Sequence, residues 1–314
     1  MTTRTALRCT FAFLTSLILA TTAHAQLFRA YLASDGNDAN ACTLPAPCRL
    51  LPAALAAVVD GGEIWMLDSA NYNIATVTIG KSVSILATPG AVGSILAIGG
   101  PAIDITAAGL QVGLRNLVIA PLPGGGATNG VNMTGNSKLT IEHSLIANLP
   151  FYAVNISCTC KLKIANTTLR NNTYYAVRLD GGATAEISGT QMLANNLGGI
   201  LSGGSSVTTT TASVSDSVIS GGNYGVAASA LATGSVGRVL VTRSTIEGTL
   251  SAALGAETNG LGSAIVAVSN SMITNNTSAW YQFNTGSVIR TLGNNHIADN
   301  GGSVTGSLTL TPPQ

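Results

Sequence analysis

Few side chains in this 314-residue sequence can do chemistry: there are 13 acids, 14 Lys and Arg, 3 His and 5 Cys. The best catalytic pairing is Arg178 with Asp180, flanked by Asn155. A basic group held against a carboxylate could assist proton abstraction from a sugar. The simpler reading of the same two residues is a surface ion pair, which is common and worth little. Beyond Ala25 only His143 and His296 remain, both at polar turn positions, and His143 reads as a turn residue rather than a base. Binding has a different signal. Tyr152, Tyr175 and Tyr224 each stand two positions before an apolar residue (Val154, Val177, Val226), with Phe151, Tyr174 and Trp280 beside the same column. In a chain with 4% aromatics this gathers much of the stock along one edge. Aromatic faces stack on sugar rings and a phenol adds a hydrogen-bonding tip. Tyr152, Tyr174, Tyr175, Tyr224, Trp280 and Asn155 are therefore the ligand-binding candidates, against the reading that the rings merely cover a turn.

The elements that must position these residues come from a repeat. Each unit reads apolar-x-apolar, turn, apolar-x-apolar, polar turn, apolar. Its last apolar residue falls at Ile119, Ile146, Leu169, Met192, Ile219, Ile246, Ile273 and Ile297, with separations of 27, 23, 23, 27, 27, 27 and 24. Three positions before each stand Asn116, His143, Asn166, Gly189, Asp216, Arg243, Asn270 and Asn294, and Asn suits a tight stacked turn. Val131-Asn132-Met133, Leu139-Thr140-Ile141 and Leu145-Ile146 typify the three strands of one unit. Val131, Val154, Val177 and Ile200 recur at one constant spacing and should stack inside the coil. One unit cannot bury its own apolar residues; stacked units about 4.8 Å apart give three parallel sheets around one core. The expectation is an all-β, right-handed parallel β-helix of about 8–10 coils with a short N-terminal capping helix. Leu51, Ala54, Leu55, Val58 and Val59 have helical spacing, stopped by Gly61-Gly62. The terminal Pro312 and Pro313 cannot extend strand pairing. Turns between first and second strands vary most, being long at 203–211 and 228–237, and that side suits recognition.

The ends and the composition bound the setting. Arg4 and Arg8, the apolar run Phe11 to Ala20 and Ala23-His24-Ala25 read as an export signal cleaved after Ala25, too short for a membrane span. The expected divisions are 1–25 signal, 26–63 cap and 64–314 β-helix, in a soluble protein of the periplasm or exterior. Without the signal there are 12 basic residues against 13 acidic, so neither nucleic acid nor a membrane surface is an expected partner. Export permits a Cys42–Cys48 disulfide across a Pro-containing loop. Cys158 and Cys160, separated by Thr159 alone, fit a tight disulfide, two free thiols or half of a metal site. No metal or cofactor is expected.

Ser34-Asp35-Gly36-Asn37-Asp38, the loop closing in Ala46-Pro47-Cys48-Arg49, and the helix from Leu51 resemble the opening of exported right-handed β-helix repeat proteins of the pectin-lyase-like class. Gly62 to Leu67, Tyr72 and Lys81 to Ile85 look like that class's first coils. The resemblance covers nearly all of the chain after the signal and implies architecture, with polysaccharide-directed chemistry as the enzyme alternative. That chemistry needs clustered carboxylates on one face. The outward first-strand positions read Asn132, Asn155, Arg178, Leu201, Ala227, Gly255 and Gln282, with no carboxylate among them. A non-catalytic protein binding polysaccharide or cell-envelope glycan is therefore the leading expectation, with a uronate-polymer lyase second and a structural surface protein third.

Overall fold

The computed structural model describes residues 26–204 and 207–311; the expected signal segment, its cleavage site and Pro312-Pro313 lie outside them. Short strands with inward apolar residues stack into three parallel sheets. Among the described residues there are nine strands in the sheet of first strands, twelve in the second and ten in the third. The result is the expected solenoid of about nine turns, with one short helix among the described residues. Register follows the apolar columns. Val131 pairs with Val154, Val154 with Val177 and Val177 with Ile200, and all four are fully buried. Each such side chain contributes about 1.5–3 kcal/mol of burial, and the core is one column running the length of the coil.

Turns are fixed by backbone conformation. Asn116, His143, Asn166, Gly189, Asp216, Arg243 and Asn270 all take φ between 46° and 56°. This left-handed region suits Gly and Asn, which explains the composition of the column. His143 sits there, exposed, as a turn residue. Asn294 leaves the column: its amide oxygen instead accepts the Asn270 N–H at 3.1 Å. The next position holds buried hydroxyls. Thr190 N–H donates to Ser217, Ser217 N–H to Ser244 and Ser244 N–H to Ser271, at 3.1–3.2 Å, so polar groups inside the turn are satisfied coil by coil.

Two expectations shift. The helix spans Leu51–Ala57, and Val58 begins the strand Val58–Met66. The β-branched Val58 and Val59 join the sheet beside Leu27–Leu32, so Gly61-Gly62 lies within a strand, where Gly61 has φ 78°. The segment expected only to cap the coil thus also supplies its first strand. The long turn expected at 228–237 shrinks to 231–235, because the strands Tyr224–Ala230 and Val236–Thr242 extend into it. Cys42–Cys48 and Cys158–Cys160 are both disulfides, with Cα–Cα distances of 4.6 and 5.2 Å.

Candidate functional site

The outer face of the first sheet gathers most of the polar candidates. Parallel pairing aligns Asp104, Asn132, Asn155 and Arg178 in one outward row over four successive strands. Asn132 donates its amide N–H to Asp104 at 2.8 Å, and Asn155 donates to Asn132 at 2.8 Å. Arg178 Nη1 donates to Asn155 at 3.1 Å, and its Nη2 to Asp180 at 3.0 Å. Each rung along the row therefore donates toward the N-terminal end, from a donor-only guanidinium to an acceptor-only carboxylate. Bonds polarised in one direction reinforce each other. Each Asn spends one N–H and one carbonyl lone pair on the ladder, which leaves one of each for a ligand hydroxyl.

Aromatic rings wall this ladder. Phe151 stacks on Tyr174 with centroids 5.3 Å apart, and Tyr152 leans on Tyr174 at 5.4 Å. The Arg178 guanidinium lies 5.8 Å from the Tyr152 ring centre. Between wall and ladder opens a cleft of about 340 Å³ lined by Asp104, Asn129, Asn132, Phe151 and Tyr152. A larger groove, about 600 Å³, is on the second sheet around Leu240 and Ala267, between Lys163 and Arg290. None of the sequence-expected site residues lines it.

Beyond Arg178 the row turns apolar: Leu201, Ala227, Gly255 and then Tyr281. Tyr281, not Gln282, pairs with Gly255, which corrects the expected row by one position. Tyr175 aligns with Gly198 and Tyr224 along the edge. Both Gly198 and Gly255 make room for rings: a Cβ on Gly198 would meet Tyr175 Cε1 at 3.0 Å, and one on Gly255 would meet Tyr224 Cδ1 at 3.3 Å. Tyr175 is buried, and desolvation pushes its phenol well above the ordinary range, helped by Tyr224, Glu257 and Tyr152. Trp280 falls outside the tyrosine edge. It pairs with Leu254 in the inward column and packs against the core near its C-terminal end.

The sequence pattern did not reveal Asp104, which puts a carboxylate in a row read as having none. Ile103-Asp104-Ile105 has the apolar-x-apolar signature, but Asp104 precedes its ladder partner by 28 positions instead of 23, because the turn at 122–130 is longer. The acids are widely spread. Asp104 and Asp180 are three strand steps apart, as are Asp180 and Glu257. Three steps span about 14 Å at ~4.8 Å each, whereas glycosidase carboxylates stand about 5–9.5 Å apart. Among the described residues no group of three His, Cys, Asp or Glu is placed to hold a metal ion. No described helix is long and apolar enough to cross a membrane.

Comparison with known proteins agrees with this architecture. The family profile for the right handed beta helix region matches residues 127–309, so the chain belongs to that family. No curated protein sequence matches it. Among solved structures it is similar to the pectate lyase Pel9A at 15% identity and TM-score 0.67, covering 92% of this chain and 80% of that one. It is similar to XylC, solved in complex with xylose, at 8% identity and TM-score 0.60, covering 86% and 70%. A tailspike protein of Escherichia coli O157:H7 bacteriophage CAB120 aligns at 11% identity and TM-score 0.52, covering 80% of this chain and 39% of the tailspike. At these identities the likeness is one of fold.

Proposed function

We propose that this protein is an exported glycan-binding β-helix that lays a polysaccharide chain along the outer face of its first sheet. The observation that carries the reading is the hydrogen-bonded row Asp104–Asn132–Asn155–Arg178–Asp180. Its asparagines repeat one spare donor and acceptor per coil beside the Tyr152–Tyr174–Phe151 wall. A regular row of hydrogen-bonding groups next to aromatic faces suits a repeating ligand of hydroxyl-bearing rings. The disulfides Cys42–Cys48 and Cys158–Cys160 support an oxidising destination. The similar folds include a pectate lyase and a protein solved with xylose, which point the same way.

Cleavage by this chain is the second reading, and Arg178 is the observation that keeps it, as the single cation on the described strands of the first sheet. Against it, the guanidinium is committed to Asn155 and Asp180, and the carboxylates are too far apart to flank one glycosidic bond in hydrolysis. The deciding test is a polysaccharide panel read for both binding and new reducing or unsaturated ends. Binding without products, weakened in Tyr152→Ala, is expected. Products that disappear in Arg178→Ala would replace this reading with the enzyme one, and silence over a broad panel would sink both.

A further inference from the structure

The described strands of the first sheet hold four charged residues: Asp104, Arg178, Asp180 and Glu257. All four lie by strand alternation opposite the inward Ile103, Val177, Leu179, Leu254 and Ala256, with Asp180 itself buried under Arg178 and the turn after its strand. Arg178 is neutralised by Asp180, so the face presents Asp104 and Glu257, a net negative surface. The chain does not lack cations; it places them elsewhere. Strands of the second sheet carry Arg29, Arg115, Lys138, Lys161, Lys163, Arg238 and Arg290, against Asp60, Glu63, Glu142 and Glu186. A polyuronate laid on the first sheet would meet like charge, an arrangement that disfavours binding and slows association.

The C-terminal part of the face adds a more specific feature. Glu257 is exposed and has no ion pair among the described residues. It stands two positions from Gly255 on the same face of the strand Ala252–Thr258, and pairs with Phe283 while Gly255 pairs with Tyr281. Tyr281 stacks on Phe283 at 6.0 Å, and the Tyr224 ring lies against the Gly255 position. One carboxylate without a cation is thus flanked by aromatic rings from the neighbouring strands. Faces of this kind attract cations, ammonium groups included, and the carboxylate adds a charge-assisted hydrogen bond. A neutral sugar would gain from the rings and could donate a hydroxyl to the carboxylate, but only an ammonium adds charge attraction and a cation–π contact.

We propose that the glycan taken by this face carries free amino groups, one of which docks at Glu257 between Tyr224 and Tyr281. The proposal rests on the glycan-binding reading and narrows it. The experiment is isothermal titration of the full mature chain with three oligosaccharides: glucosamine, N-acetylglucosamine and galacturonic acid oligomers. Parent, Glu257→Gln and Tyr152→Ala proteins are compared, each at low and high salt. The expected result is tightest binding of the glucosamine oligomer, lost about tenfold in Glu257→Gln and weakened by salt. The N-acetylated oligomer should bind more weakly and ignore Glu257→Gln. Equal binding of both hexosamine oligomers with no effect of Glu257→Gln, but a loss in Tyr152→Ala, would overturn the amino-group assignment and leave the glycan reading standing. Tighter binding of the galacturonic acid oligomer would overturn it as well. No binding of the glucosamine oligomer overturns this inference by itself, whereas the broader panel decides the glycan reading.

Discussion

The outer face of the first sheet changes character between Arg178 and Leu201. On the N-terminal side, Asp104, Asn132, Asn155 and Arg178 form a directional chain of hydrogen bonds. On the C-terminal side, Leu201, Ala227 and Gly255 offer no polar side-chain atom, and the tyrosine rings occupy the space instead. The backbone is the same on both sides, parallel and paired throughout. What differs is one row of side chains on a fixed lattice. The polar half can orient a ligand by donor and acceptor direction, and the aromatic half offers area, phenol tips and one charge. The N-terminal stretch, with its Phe151–Tyr152–Tyr174 wall, can both register and hold a chain, whereas the C-terminal stretch has no polar row to register it.

The largest effect that sharpens this contrast is on stability. Gly198 has φ 151°, a backbone state closed to most L residues, and the Tyr224 carbonyl and the Tyr175 ring crowd its Cβ position. Gly198→Ala should lose about 2–4 kcal/mol in urea unfolding. Gly255→Ala meets the Tyr224 ring at 3.3 Å and should lose under about 1 kcal/mol. Equal losses would mean that the two glycines do not serve ring placement in the way argued. Asn155→Leu comes next. It strands the Arg178 Nη1 donor and the Asn132 Oδ1 acceptor, both half-buried, at about 1–3 kcal/mol. It should also weaken glycan binding, while the matched Ala227→Leu on the apolar half leaves the ladder's contribution intact. Tyr152→Ala is smaller still: stability should move little, and binding should fall about two- to tenfold, as for one lost aromatic contact.

How much of this was legible depends on whether spacing or register carried the information. The inward columns, the turn residues with positive φ and the solenoid itself were legible, because identical residue types recur at nearly constant separations and stacking demands it. The polar ladder was half legible. Asn132, Asn155, Arg178 and Asp180 stood out, but Asp104 hid behind a longer turn. At the other end a slip of one position mattered. Carrying the spacing of the preceding coils on from Gly255 leads to Gln282, whereas the strand partner of Gly255 is Tyr281, one position earlier. In a strand a slip of that size exchanges core for surface, so Trp280 was read as a surface ring although it packs inward against the core. Glu257 drew no notice because it is three coils from Asp180, and its value comes from rings brought beside it by pairing.

The smallest effect separates the buried from the open part of the tyrosine edge by pH. Burial raises the Tyr175 phenol above its ordinary value, with Tyr224 and Glu257 adding to the rise. The folded state then keeps a proton that the unfolded chain releases near the ordinary phenol value of about 10. Stability is therefore fully present below about pH 10 and declines as the pH rises toward the folded value. Tyr72, buried beside Asp68 in the first coils, is shifted in the same direction, first by desolvation and then by the hydrogen bond it donates to the Asp68 carboxylate, and contributes to the same decline. Tyr281 is shifted upward as well, by desolvation and then by Glu257 and Tyr224, so Tyr175→Phe removes one of these contributions. It should leave unfolding at neutral pH nearly unchanged and flatten the loss of stability above about pH 10, with the Tyr72 and Tyr281 shares remaining, as read by urea titrations at each pH. An unchanged alkaline slope in Tyr175→Phe would mean that its hydroxyl reaches solvent. Tyr175 would then join Tyr152 as a binding ring, and the aromatic half of the face would reach the ladder's last coil, the strand that carries Arg178.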